Sequence, residues 1–279
     1  MRAYVSVDLE GMPYVVSPLH LEPGKPLFEE ARKIATRVVL AAAEELRERG
    51  FGEVVVADSH GYMVNVLVEE LPEYVSLIRG FPRPVSMMTA VEGSDAVLML
   101  GYHAKAGTKR ASMDHTYSGA AIGAVYVNGI EVSEFLLNAL LAGHYGVPVV
   151  LLAGDRALAE DVEKYAPWVE FVALKESYSR YSAKSPGLER ILEDLRGAVA
   201  RACRKLERGE ARPLEAGNPV EIKVVFVNSA YADAAELLPG AEREGGLAVS
   251  YEARDMAEAY RVLELMVLAC AGVREILRR

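Results

Sequence analysis

Apolar residues recur along this chain in two alternating rhythms, and their succession predicts an α/β fold. Dense runs rich in Val, Leu and Ala around Tyr4, Val5 and Val7 and over residues 53–58, 95–100, 120–127 and 147–153 have the length and continuity of strands covered on both faces. Between them apolar positions return at helical spacing: Ala31, Ile34, Val38, Val39, Ala42 and Leu46 mark a helix over 27–49 that Gly50 closes. Helices are also predicted over 63–71, 132–145, 157–164, 188–206 and 255–278, and shorter strands over 75–78, 171–174, 220–227 and 247–251. Strand and helix alternate, so right-handed crossovers and a mainly parallel sheet flanked by helices in three layers are expected. Residues 208–219, charged and holding Gly and Pro, read as a linker or wide turn. They divide a body at 1–207 from a smaller α/β portion at 208–279 packed on it, whose independence as a domain stays open.

The strands end in an unusual way. The first stops at Asp8 and Glu10, followed by Gly11; residues two apart in extended chain point the same way, so two carboxylates share one side. Such a pair repels itself unless a cation or a shared proton lies between the groups, although a solvated turn accounts for these two residues equally well. The second strand ends at Asp58-Ser59-His60 and the fourth at Gly101-Tyr102-His103. Asp58 or Ser59 can cap a following helix, but that does not explain a histidine at the carboxyl end of a parallel strand, where open α/β sheets bind ligands. A long aperiodic loop, residues 104–114, leads to His115, and Glu134 opens the helix over 132–145, where a carboxylate also suits the macrodipole.

Asp8, Glu10, His60, His103 and Glu134 together offer carboxylate oxygens and imidazole nitrogens, the donors preferred by zinc and other first-row divalent ions. Five such donors are too many for one catalytic zinc that must keep an open position, and suit a pair sharing one carboxylate. His20 and His144 read as structural, His144 completing a helix C-terminus, and Asp155 before a helix reads as an ordinary N-cap. Lys175 and Ser179, in a polar stretch after a strand, read as solvated rather than pocket-lining.

Composition narrows the function classes. A formal charge of −9 argues against a nucleic-acid surface. Cys203 and Cys270 fall in separate helical patterns, which argues against a disulfide framework or a cysteine-based zinc site and suggests buried free thiols in a reducing compartment. The first ten residues alternate like a strand and carry charge, and no apolar stretch reaches membrane-spanning length, so neither a signal peptide nor a membrane partner is expected and the location is read as cytoplasmic. No glycine-rich phosphate cradle is present.

The motifs Val7-Asp8-Leu9-Glu10-Gly11, Asp58-Ser59-His60, Gly101-Tyr102-His103-Ala104, the segment 113–115, and Asn128-Gly129 followed by Glu134 and Asn138-Ala139 are collinear across almost the whole chain, with 147–155 and 253–260 continuing them. In this order they resemble the zinc-dependent D-aminopeptidase family, the DppA-like dinuclear metallopeptidases. The resemblance implies an aminopeptidase acting on short peptides with an N-terminal D-residue, two zinc ions per chain held by Asp8, Glu10, His60, His103 and Glu134, and His115 as the catalytic residue, either base and acid or nucleophile. It also implies a ring-like homo-oligomer, a homodecamer. Two positions depart from the family pattern: Asp114 stands where a small polar residue is usual, and Ser133 replaces a glycine. Asp114 would raise the pKa of His115 if their side chains met. Two rival readings remain at this stage: a dinuclear metallohydrolase of another amide or ester bond, and a non-enzymatic α/β protein that binds a metal or small molecule.

Overall fold

The computed structural model describes residues 1–277 of the 279 in the chain. In order, its elements are β1 (Arg2–Val7), α1 (Phe28–Glu48), β2 (Glu53–Asp58), β3 (Val75–Ile78), β4 (Ala96–Tyr102), β5 (Ile122–Val127), β6 (Ile130–Glu131), α2 (Glu134–His144) and β7 (Val149–Asp155). There follow α3 (Ala159–Tyr165), β8 (Glu170–Ser179), β9 (Ser182–Lys184), α4 (Leu188–Glu207), β10 (Val220–Phe226), α5 (Ser229–Ala235), β11 (Ala241–Glu244), β12 (Ala248–Ala253) and α6 (Met256–Leu277).

Seven strands form one sheet in the order β3-β2-β1-β4-β7-β8-β9, parallel except for the β8–β9 hairpin. β1 lies inside the sheet between β2 and β4 and is buried along almost its whole length, because apolar side chains face helices on both sides. Ala3, Val5 and Val7 pack into the core shared with α1 and α4, while Tyr4 points to the opposite core, shared with α2 and α6. This is the alternation that a strand imposes on successive side chains.

The expected α/β class is therefore present, and a second sheet adds to it. Strands β11-β12-β10-β5-β6 pair antiparallel, and α2 and α6 pack between this sheet and the first. The boundary expected near residue 208 does not separate the two sheets, since β10 and β12 are built onto β5, which belongs to the first half of the chain.

Three local expectations are corrected. No helix forms over 63–71. The Asp58 carboxylate instead accepts the backbone N–H groups of Asn65 and Val66 at 2.5 and 2.8 Å, and Met63 takes a φ of 58°, so only a short 3-10 turn at Val68–Glu70 remains. The strand expected to stop at residue 174 continues to Ser179: a register shift opposite Gly154–Asp155 changes which side chains are buried, from Val172 and Leu174 to Lys175 and Ser177, and the latter two meet polar partners. α5 and β11 were not anticipated: the first is a single capped stretch begun by Asn228, and the second, Ala-Glu-Arg-Glu, carries almost no apolar signal. The helix predicted to end at residue 278 is described to Leu277, and its last expected residue lies outside the described ones.

Candidate metal centre

The carboxyl ends of β1, β2 and β4 converge. The Asp8 N–H donates to the Leu100 carbonyl at 2.8 Å and the Gly11 N–H to the Gly101 carbonyl at 2.7 Å, which holds the Asp8–Glu10 turn against the end of β4. This close approach requires glycine on both sides: a Cβ on Gly11 would lie 1.8 Å from the Tyr102 carbonyl oxygen, and one on Gly101 would lie 2.1 Å from that of Asp8. Gly101 also adopts a φ of 76°. The two glycines thus bring His103 to the carboxylates.

All six residues singled out from the sequence gather in one place. Asp8, Glu10, His60, His103 and Glu134 are at most 8% exposed, and His115 is partly buried beside them. Ligand atoms of Asp8, Glu10 and His103 lie within 4.8 Å of one another, as do those of His103, His115 and Glu134. His60 Nδ1 lies 2.7 Å from Glu10 Oε2 and 3.2 Å from Asp8 Oδ1. His103 Nε2 lies 3.3 Å from Asp8 Oδ2 and 3.4 Å from Glu134 Oε1. Asp8 therefore presents one oxygen to each of two groups of donors, Glu10 with His60 on one side and Glu134 with His103 on the other.

The histidines are oriented from behind. His60 Nε2 meets the Leu21 carbonyl at 2.9 Å, His103 Nδ1 the Ala104 carbonyl at 3.0 Å, and His115 Nδ1 the Met113 carbonyl at 2.9 Å. Each carbonyl accepts an N–H, so in the neutral ring the lone pair lies on the nitrogen that faces the carboxylates. Lone pairs opposite carboxylate oxygens repel unless cations or protons lie between them. Consistently, Asp8 Oδ2, Glu10 Oε2 and His103 Nε2 are buried without a hydrogen bond, the condition of atoms that fit a metal.

The carboxylates and imidazoles also shift one another's protonation. Burial opposes charge on both histidines, but the carboxylates overcome it: Glu10 and Asp8 hold His60 well above the usual imidazole range, and Glu134 and Asp8 push His103 up to about 10. Burial and the neighbouring Glu10 charge raise Asp8 to about 8. Burial also works against the Glu10 and Glu134 anions, yet His60 lowers the first and His103 the second below the usual carboxylate range. Burial and the His103 charge lower His115.

Both departures from the family pattern have a structural account. Ser133 is the N-cap of α2, its hydroxyl accepting the Leu136 N–H at 3.3 Å, which frees Glu134 to accept the Tyr117 N–H at 2.7 Å and face the cluster. Asp114 is tied to Arg180 and to the Gly107 N–H at 2.6 Å. It anchors the loop that carries His115 and leaves the imidazole to burial and His103.

Lys175 corrects the expectation of a solvated side chain. It is 1% exposed, and its ammonium donates to the Glu10 carbonyl, to the Val15 carbonyl at 2.6 Å and to Ser112 Oγ at 3.2 Å. Burial lowers it to about 8 against the pull of Asp155, Glu10 and Asp8. Ser179 is exposed, as expected. Asp155 caps the turn after β7 by accepting the Ala157 N–H at 3.1 Å, and also accepts from Ser112 N at 3.0 Å and Ser177 Oγ at 2.5 Å. Sequence reasoning missed this second layer, whose one visible signal was a lysine placed at the carboxyl end of a sheet strand. His20 and His144 stand apart: His20 packs on the Ser17 carbonyl, and His144 ends α2 edge-on to Tyr145.

The cluster opens into a cavity of about 290 Å³ lined in part by Asp8, Glu10, His60, His115 and Glu134. The free thiols of Cys203 and Cys270 are buried elsewhere, and no helix among the described residues is long and apolar enough to cross a membrane.

Known proteins match this chain along almost its full length. A D-aminopeptidase family model covers residues 1–265. The D-aminopeptidase of Bacillus subtilis (strain 168) is 34% identical over 271 residues, spanning 95% of this chain and 96% of that protein. The solved structure of the Zn-dependent D-aminopeptidase DppA from Bacillus subtilis, described as a self-compartmentalizing protease, matches with a TM-score of 0.92 at 33% identity over 96% of this chain and 97% of its own.

Proposed function

This chain belongs to the D-aminopeptidase family, and from that premise we propose that it is a zinc-dependent aminopeptidase cleaving short peptides with an N-terminal D-residue of D-alanine type. Asp8, Glu10, His60, His103 and Glu134 would hold two zinc ions. The observation that carries this proposal is the outward bonding of the histidines to the Leu21, Ala104 and Met113 carbonyls, which leaves their other nitrogens aimed at three buried carboxylates. Zinc also agrees with the Zn-dependent relative.

Bound there, the metal pair would supply Lewis acidity that polarises a scissile carbonyl and acidifies water. The chain's own residues do the rest. With its Nδ1–H on the Met113 carbonyl, His115 offers a lone pair at Nε2, 3.6 Å from Glu134 Oε1 on the cavity wall. That nitrogen can accept a proton from the attacking group and return it to the departing amine, or attack the carbonyl itself. The clamp of Asp114 and Arg180 keeps the His115 loop in place, and Lys175 keeps the Glu10 turn in place.

We further propose a ring-like homo-oligomer, a homodecamer, in the cytoplasm. The description of the relative as self-compartmentalizing supports assembly, and Leu265, Leu268, Ile276 and Leu277 leave exposed apolar side chains along α6. Light scattering of the purified protein reads the number of subunits. The hydrolytic proposal is tested by cleavage of D-Ala and L-Ala p-nitroanilides before and after chelation. Faster cleavage of the D-substrate, lost with the metal and restored by zinc, is expected. Undiminished cleavage after complete chelation would overturn it.

A further inference from the structure

We infer that Glu264, on α6, binds the free α-ammonium group of the substrate and so makes the enzyme an exopeptidase; this rests on the aminopeptidase proposal and names the group that selects its substrates. Glu264, Val267 and Leu268 share one face of α6 and line the same cavity as Glu10, His115 and Glu134. Met63, Phe81 and Met87 complete an apolar wall suited to a small alkyl side chain.

Charge singles out Glu264 within that cavity. Asp8, Glu10 and Glu134 belong to the clustered donors, where histidines and the proposed zinc ions would already oppose their charge. Glu264 lies outside that cluster. It is half-buried beside Ser86, which lines the same cavity. The cation acting on it, Arg83, directs its guanidinium to the carbonyls of Ile78 at 3.3 Å and Asp58 at 2.8 Å. Burial raises Glu264 to about 7, the condition of a carboxylate short of a counter-charge. An incoming ammonium supplies that charge. A peptide amide or a blocked terminus does not.

The test compares two zinc-chelating ligands that differ by the amine alone, D-alanine hydroxamate and propionohydroxamate, by calorimetry on the zinc-loaded protein and on Glu264→Gln. Wild type should bind the amine-bearing ligand about tenfold tighter or more, and Glu264→Gln should abolish most of that preference with zinc content unchanged. In turnover of D-Ala p-nitroanilide the variant should raise KM by a similar factor and change kcat little. Glu264→Asp, which keeps the charge on a shorter arm, should recover part of the preference and also serves if the glutamine variant does not fold. Preference retained in Glu264→Gln, or wild type binding both hydroxamates alike, would overturn the inference while leaving the metal site standing. Wild type binding neither would overturn both. Amine preference lost in Glu264→Gln, in a protein that cleaves no anilide, would remove the peptidase proposal and keep Glu264 as the amine site.

Discussion

The imidazole rings of His103 and His115 lie stacked, with centroids 4.1 Å apart and planes 11° from parallel. Two rings so close nevertheless differ in their surroundings. His103 is 1% exposed between Asp8 and Glu134, whereas the side chain of His115 is 18% exposed and has Glu134 alone as its carboxylate neighbour within 4 Å. In the proposed centre the inner ring would hold a metal and the outer one would meet substrate. His115→Ala should therefore keep its full zinc content and lose about 10²- to 10⁴-fold in kcat, the range of a general acid–base group. Elemental analysis beside steady-state kinetics checks both halves; loss of zinc with activity would reassign His115 as a ligand.

The Lys175 ammonium joins three acceptors from two different loops, the Glu10 and Val15 carbonyls and Ser112 Oγ. Lys175→Met leaves the Glu10 and Val15 carbonyls and Ser112 Oγ buried without their donor, at about 1–3 kcal/mol for each unsatisfied group. Chemical denaturation should show a loss of at least about 3 kcal/mol. Zinc titration should show weaker binding as well, because the turn that carries Glu10 loosens.

Ser133 isolates a single capping interaction next to a site residue. Ser133→Ala should cost about 1 kcal/mol of stability, and Ser133→Gly, the residue usual in the family pattern, only a few tenths. Equal losses in thermal or denaturant unfolding would show that the hydroxyl does more than cap α2.

Zinc and protons compete for the same atoms. Carboxylates hold His60 above its ordinary range and His103 at about 10, and Asp8 stands at about 8, so the metal-free chain carries protons at neutral pH that a metal must displace. Lower pH fills these groups and weakens binding; higher pH empties them and strengthens it. Between pH 6 and 8 the apparent zinc affinity should rise about tenfold per pH unit for each proton displaced. Calorimetry in buffers of different ionisation enthalpy should detect the released protons, and a pH-independent affinity would contradict this account.

Four of the clustered residues were legible in the sequence because they sit where an apolar run breaks: Asp8 and Glu10 after β1, His60 after β2, His103 after β4. The parallel sheet was legible for the same reason, since doubly covered strands leave continuous apolar runs. The second sheet was less visible. β5 pairs with β10 across nearly a hundred residues, Ile222 opposite Val127, and such a partner leaves no local trace. Lys175 was misjudged because a lysine suggests solvent, and its acceptors come from the β1 turn and the His115 loop. Glu264 was invisible as a functional group, being one carboxylate on a long helix until the cavity showed which face it occupies.

The zinc content of freshly purified protein tests the central claim most directly, because it depends on neither substrate nor assay. Two zinc ions per chain, falling when Asp8 is replaced by alanine, is the predicted result. A chain that binds no zinc, holds a single ion, or keeps its full zinc content without Asp8 would contradict a paired centre that includes that residue.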